Sequence, residues 1–119
     1  MTDSAMAARL RAVSPLTERH QLLVGQRLDG WPEVDVLDEN GVTDRGEVVR
    51  FTVEGDAASF DGGASFDAES NNRGRAFATG LTGNKPGEAT VLVTVPTNPD
   101  VPVLHYSLAV AGPATAEDA

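Results

Sequence analysis

Cysteine is absent from the 119 residues, which excludes disulfides, thiol chemistry and cysteine-based zinc sites. Aromatic side chains are scarce, at 5% of the chain, with one tryptophan, one tyrosine and four phenylalanines. Basic residues number nine against 18 acidic ones, and the net charge of −9 argues against nucleic acid, whose phosphates need a basic patch. No stretch approaches the roughly 18 apolar residues of a membrane span, so membrane insertion is not expected. Met1 to Arg9 has neither a basic n-region nor an apolar h-region, and so does not read as a signal peptide. Two contexts stay open from the sequence: a chain retained in the cytoplasm, or a piece of a longer one.

Hydrophobic residues make up 40% of the chain, with 12 glycines and seven prolines, which is too apolar for a disordered protein and too rich in breakers for a helical bundle. One domain is expected over residues 8–110, with flexible termini at 1–7 and 111–119. The dominant hydrophobic period is two, the period of strands. Leu10 and Ala12 open a first strand that competes with a short helix from Asp3 to Val13; His20 to Gly25 forms a second. Val34 and Val36 alternate with acids, as in a strand with one wet face. Val49, Phe51 and Val53 point inward from the clearest strand. Ala58–Phe60 and Ser65–Asp67 flank Asp61-Gly-Gly63 as a short hairpin. Ala76 and Ala78 alternate, then Ala89, Val91, Val93 and Val95, and finally Leu104, Tyr106, Leu108 and Val110. Asp38-Glu-Asn-Gly41, Asn71-Asn-Arg-Gly74 and Gly83 to Gly87 are turns. Seven to nine short strands with turns about every ten residues predict an all-β, two-sheet antiparallel sandwich.

Three stretches give the chain a resemblance to a known family. They are Leu23-Val-Gly-Gln26 followed by Val34-Asp-Val-Leu-Asp-Glu-Asn-Gly41; Gly46-Glu-Val-Val-Arg-Phe-Thr-Val53; and Asn72-Arg-Gly-Arg-Ala-Phe-Ala-Thr-Gly-Leu81 with Gly87-Glu-Ala-Thr-Val-Leu-Val93 and the following Thr94-Val95. In order and spacing, from about Ala8 to Val110, the chain resembles the bacterial immunoglobulin-like domains of invasin- and intimin-type surface proteins. The resemblance implies an immunoglobulin-like sandwich, a spacer or adhesion role, and a cell-surface or secreted setting. Two departures stand beside it: an opening stretch that does not read as a signal peptide and a proline-rich connection from Pro96 to Pro102.

Catalytic signatures are not found. Ser14, Ser59, Ser65, Ser70 and Ser107 lie in no Gly-x-Ser-x-Gly elbow, and no enzyme activity is expected. Asp38 to Gly41 has part of an EF-hand spacing, but Val36 would occupy the first ligand position and offers a hard cation no oxygen. A looser site among Asp38, Asp44, Asp56 and Asp61 competes with ordinary solvated turns. His20 and His105 read as solvent-facing. No cofactor is expected, and a chelator is expected to leave the melting temperature unchanged.

A protein partner is the remaining possibility. Trp31 either packs over the open end of the core or stands exposed as an anchor, in which case it could also serve a carbohydrate-binding module. Phe77 and Leu92 alternate outward and are the other candidate contacts. The strand from Arg75 to Thr79 reads as the less protected sheet edge, with Glu33 and Asp35 shielding one other edge and Pro96 to Pro102 another. These features leave a structural or adhesion module, a free-standing intracellular interaction module and a glycan binder to be separated.

Overall fold

The computed structural model describes residues 9–14, 20–60 and 63–112; the expected flexible segment 1–7 and most of 111–119 lie outside them. Among the described residues the regular structure is entirely strand. The first is β1 (Arg9–Ala12), followed by β2 (His20–Leu23), β3 (Arg27–Leu28), β4 (Glu33–Leu37) and β5 (Val48–Glu54). Next come β6 (Ala58–Phe60), β7 (Ser65–Glu69), β8 (Arg75–Phe77) and β9 (Leu81–Gly83), and the series closes with the long pair β10 (Gly87–Thr94) and β11 (Leu104–Ala111).

A five-stranded sheet in the order β2-β11-β10-β5-β7 forms one layer. Two three-stranded sheets, β1-β4-β8 and β3-β9-β6, form the other. These two are halves of one bent ribbon, because β3 runs on into β4 while β8 runs on into β9. The bend is stitched by Gly30 and Trp31 N–H donating to Ala78 O, by Ala78 N–H donating to Pro32 O, and by Gly80 N–H donating to Asp29 Oδ1 at 2.8 Å. Gly30 and Gly80 sit on opposite strands of this bend with φ of 83°, a left-handed value that favours glycine. The Trp31–Pro32 peptide is cis.

The core follows the period of two. Val49, Phe51 and Val53 of β5, Ala89, Val91 and Val93 of β10, and Tyr106, Leu108 and Val110 of β11 face Val34, Val36, Ala76, Ala78 and Leu81 of the opposite layer, all buried. Burial pushes the Tyr106 hydroxyl up to about 12. That hydroxyl stays protonated and donates to Ser14 O at 2.8 Å, tying the end of the β1 segment to the opposite sheet.

Several expectations are corrected. β4 has no wet face: it is the central strand of its sheet, and both Asp35 and Leu37 on its outward side are buried. Ala58–Phe60 and Ser65–Asp67 turn back on each other at one antiparallel bridge, where Phe60 and Gly63 exchange N–H···O bonds of 2.8 Å, but they do not pair as a hairpin beyond it. β6 pairs with β9 while β7 pairs with β5, so this segment crosses from one layer to the other. β2 is paired to β11 in parallel, where an antiparallel sandwich was expected. Ala111 still belongs to β11, with its carbonyl accepting from Val24 N–H at 2.9 Å, so the tail starts later than the sequence suggested.

Register places the first and last strands' outer ends at opposite poles. Arg9 pairs with Leu37, at the pole that carries the 38–47, 70–74 and 96–103 connections. Ala111 pairs with Leu23, at the pole that carries the 24–26, 55–57 and 84–86 connections. An eight-residue strand such as β10 separates the two poles by roughly 25 Å.

Candidate interaction surface

The three residues singled out as partner contacts are not brought together. Trp31 is buried, with 8% of its surface exposed. Its ring stacks on His20 at a centroid separation of 4.8 Å and meets Tyr106 edge-on at 5.5 Å. The bend that inserts Trp31 between β3 and β4 turns it into the core, so of the two readings open for Trp31 the packed one holds, and the ring offers no open face to a sugar. The same stack leaves His20 half-buried. His105 is exposed as expected.

Leu92 lies on the outer face of the five-stranded sheet, half-buried between register partners Thr52 and His105. Its neighbours there are polar, so it forms no apolar patch. Phe77 is exposed, at 40%, on β8, and β8 is an edge strand.

That edge is guarded in a way the sequence did not reveal. Asn71 folds back beside β8, so that Asn71 N–H donates to Arg75 O at 2.9 Å and Arg75 N–H donates to Asn71 Oδ1 at 3.1 Å. The first residue of β8 is thereby closed to an incoming strand, and the edge expected to be least protected is partly capped. Glu33 and Asp35 do not shield an edge, because β4 is central. Pro96 to Pro102 joins the adjacent strands β10 and β11. Phe77→Asp is expected to leave stability within about 1 kcal/mol, as at a surface position. Thermal melting checks this, and a loss well beyond that would place Phe77 in the core.

On the outer face of β4 the structure assembles a charge ladder. Asp35, with its side chain only 5% exposed, accepts from Arg11 Nη2 at 2.7 Å on one side and from Arg75 Nε at 3.0 Å on the other. The three residues are register partners across β1, β4 and β8. Desolvation raises the Asp35 pKa, but the hydrogen bonds and charges of Arg75 and Arg11 outweigh it and hold the carboxyl below its ordinary value. A shallow cavity of about 270 Å³ beside this ladder is lined by Arg9, Leu10, Arg11 and Leu37 and contains no nucleophile or general base.

The loop acids do not converge. Asp38 and Asp44 sit at the Leu37 pole and Asp56 at the Leu23 pole, while Asp61 lies outside the described residues. Among the described residues no three histidine, aspartate or glutamate side chains are placed to hold a metal. Asp38 instead accepts from Asn40 and Val42 N–H at 2.8 and 3.0 Å, fixing the turn around Gly41. No described helix is long and apolar enough to cross a membrane.

Asp44 is held less comfortably than the other turn acids. Its Oδ2 is buried without a hydrogen-bond partner among the described residues. Burial, then the charges of Glu47 and Asp38, raises its pKa above the ordinary 3.8. A carboxyl raised on folding disfavours the native state when charged, and that cost is relieved as pH falls through its folded pKa. Asp44→Asn is therefore expected to raise the melting temperature by a few degrees at neutral pH, with the gain shrinking as the solution is acidified through the raised folded pKa of Asp44 towards its ordinary 3.8. A gain that persists undiminished in acid would show that charge is not its cause.

Comparison with known proteins yields fold neighbours only. No family model matches the chain, and no curated protein does. Among solved structures it is similar to S-layer protein SbsC domains 4 and 5, with a TM-score of 0.54 and 16% identity over 91% of this chain and 54% of that one. It is also similar to surface layer protein SbsC domains 4–9, with a TM-score of 0.55 and 14% identity over 93% of this chain and 15% of that one. The chain thus spans about half of the first neighbour and a small fraction of the second. At these identities the likeness is one of fold: an all-β domain of the kind found in that surface protein. The invasin- and intimin-type motifs gain no support from these comparisons.

Proposed function

We propose that this chain is a non-catalytic structural module of a surface-associated protein, set in series with neighbouring domains. The observation that carries the reading is the placement of the outer ends of β1 and β11 at opposite poles: the chain comes in beside Leu37 and goes out beside Leu23, one strand length apart. A domain with its ends so placed extends a stalk when linked to others, whereas one with adjacent ends branches from it. The similarity to domains of a multidomain S-layer protein supports the same reading. So does the character of the surface, where the cavity beside the charge ladder has no catalytic group and the tryptophan is buried.

The test is surface labelling. An antibody raised against the folded domain is expected to label intact source cells as strongly as permeabilised ones. Labelling only after permeabilisation would reject surface association and favour the intracellular interaction module. The exposed Phe77 edge is the feature that second reading would use.

A further inference from the structure

We infer that the parallel pairing of β2 with β11 is a mechanical clamp that resists tension applied through the two ends of the domain. β2 and β11 are joined through His20↔Leu108, Gln21↔Ala109, Leu22↔Val110 and Leu23↔Ala111, and Val24 N–H extends the ladder to Ala111 O at 2.9 Å. β2 is the first strand of the five-stranded sheet and β11 its last in chain order, so this ladder ties the leading part of the chain directly to its trailing part.

The direction of pairing decides how force acts on it. Both strands run from the Leu37 pole towards the Leu23 pole. Tension on the leading part draws β2 towards the first pole, while tension on the trailing part draws β11 towards the second. The strands are then pulled lengthwise past each other, and the hydrogen bonds, which lie across the strands, are loaded together. Pulling both strands from one pole would instead open the bonds one after another. The clamp is also kept dry on its inner side, where Leu22, Leu108 and Val110 are 2%, 1% and 4% exposed, so water reaches the ladder bonds only from one face. β1 lies ahead of it and is held by four register pairs to β4, again along the strand axis, so tension reaches β2 only after β1 has come away.

The purpose of such a clamp rests on the serial arrangement proposed above, but its mechanics do not. The force experiment and the surface-labelling experiment can therefore fail independently.

Single-molecule force spectroscopy on the full chain tests the inference. In one geometry the handles are the two chain ends. In the other, Leu23→Cys supplies one handle and the C-terminus the other, which draws on both strands from the Leu23 pole. Leu23 is exposed, at 49%, and the chain has no cysteine of its own to compete. Forced unfolding reports the unfolding barrier, so the end-to-end geometry is expected to need roughly two to five times the force of the single-pole geometry at the same loading rate. Equal forces in the two geometries would overturn the clamp. Should Leu23→Cys melt well below the parent chain, Gln26→Cys, exposed at the same pole, serves as the handle with the same expected ratio.

Discussion

Phe51→Ala is expected to destabilise the domain by about 3–5 kcal/mol, the range for emptying a large aromatic site in a packed core. Phe51 is 0% exposed at the middle of β5, which is itself flanked by β10 and β7. Its register partners are Val93 and Phe66, so the vacated space is walled by strands on both sides and cannot collapse without moving the sheet. Denaturant unfolding measures the loss, with the slope unchanged if the unfolded state is unaffected. A loss under about 1 kcal/mol would mean the sheet relaxes into the space. Against a typical total stability of about 5–15 kcal/mol, the expected loss takes a large part of what holds the fold together.

The double variant Arg11→Ala, Arg75→Ala is expected to cost about 1.5–3 kcal/mol at pH 7, because the Asp35 carboxylate loses both of its guanidinium partners and regains only part of its hydration on the face they had covered. Each arginine alone should cost less, since the other keeps the charge paired. Adding Asp35→Asn to the double variant should recover part of the loss, because the buried charge is then gone. Absence of that recovery would show that the arginines act through packing of their stems. The pH dependence has a defined sign. A carboxyl held below its ordinary 3.8 on folding contributes stability that is complete above that value and is lost as pH falls through the folded one. The parent chain should therefore lose this contribution only below about pH 4, and the triple variant should show no such step.

How far the sequence reveals the fold depends on which interaction sets each feature. Alternation along one strand is a local property, and it correctly assigns Val34, Val36, Val49, Phe51, Val53, Ala76, Ala78, Val91, Val93, Tyr106 and Leu108 to the core. Strand pairing is not local. Ala58–Phe60 and Ser65–Asp67 look like a hairpin because they are close in sequence with glycines between, but each finds a better partner in a different layer. Asp35 looks solvated because alternation turns it away from the core. Its burial comes from arginines on two strands that pairing alone brings alongside, at separations of 24 and 40 residues. Trp31 is undecidable by the same logic, since it falls in the bend where neither strand's alternation applies. Asn71 as an edge cap is equally out of reach, because the turn reading of Asn71 to Gly74 says how the chain reverses and not which carbonyl it then covers.

The pairing of β2 with β11 also sets the order of events during synthesis. β2 is made early, but its partner is the last of the described strands to leave the ribosome, with nine other strands' worth of chain lying between His20 and Leu108 or ahead of them. Until then β2 has no ladder, and β10, with Ala89, Val91 and Val93 along one side, lacks one of its two neighbours. Folding dominated by such distant pairings is slow and leaves apolar strands uncovered while it waits. A growing chain of this protein therefore gains its complete five-stranded sheet only once β11 has emerged, and until that moment β10 presents an unpaired edge with Ala89, Val91 and Val93 along one side.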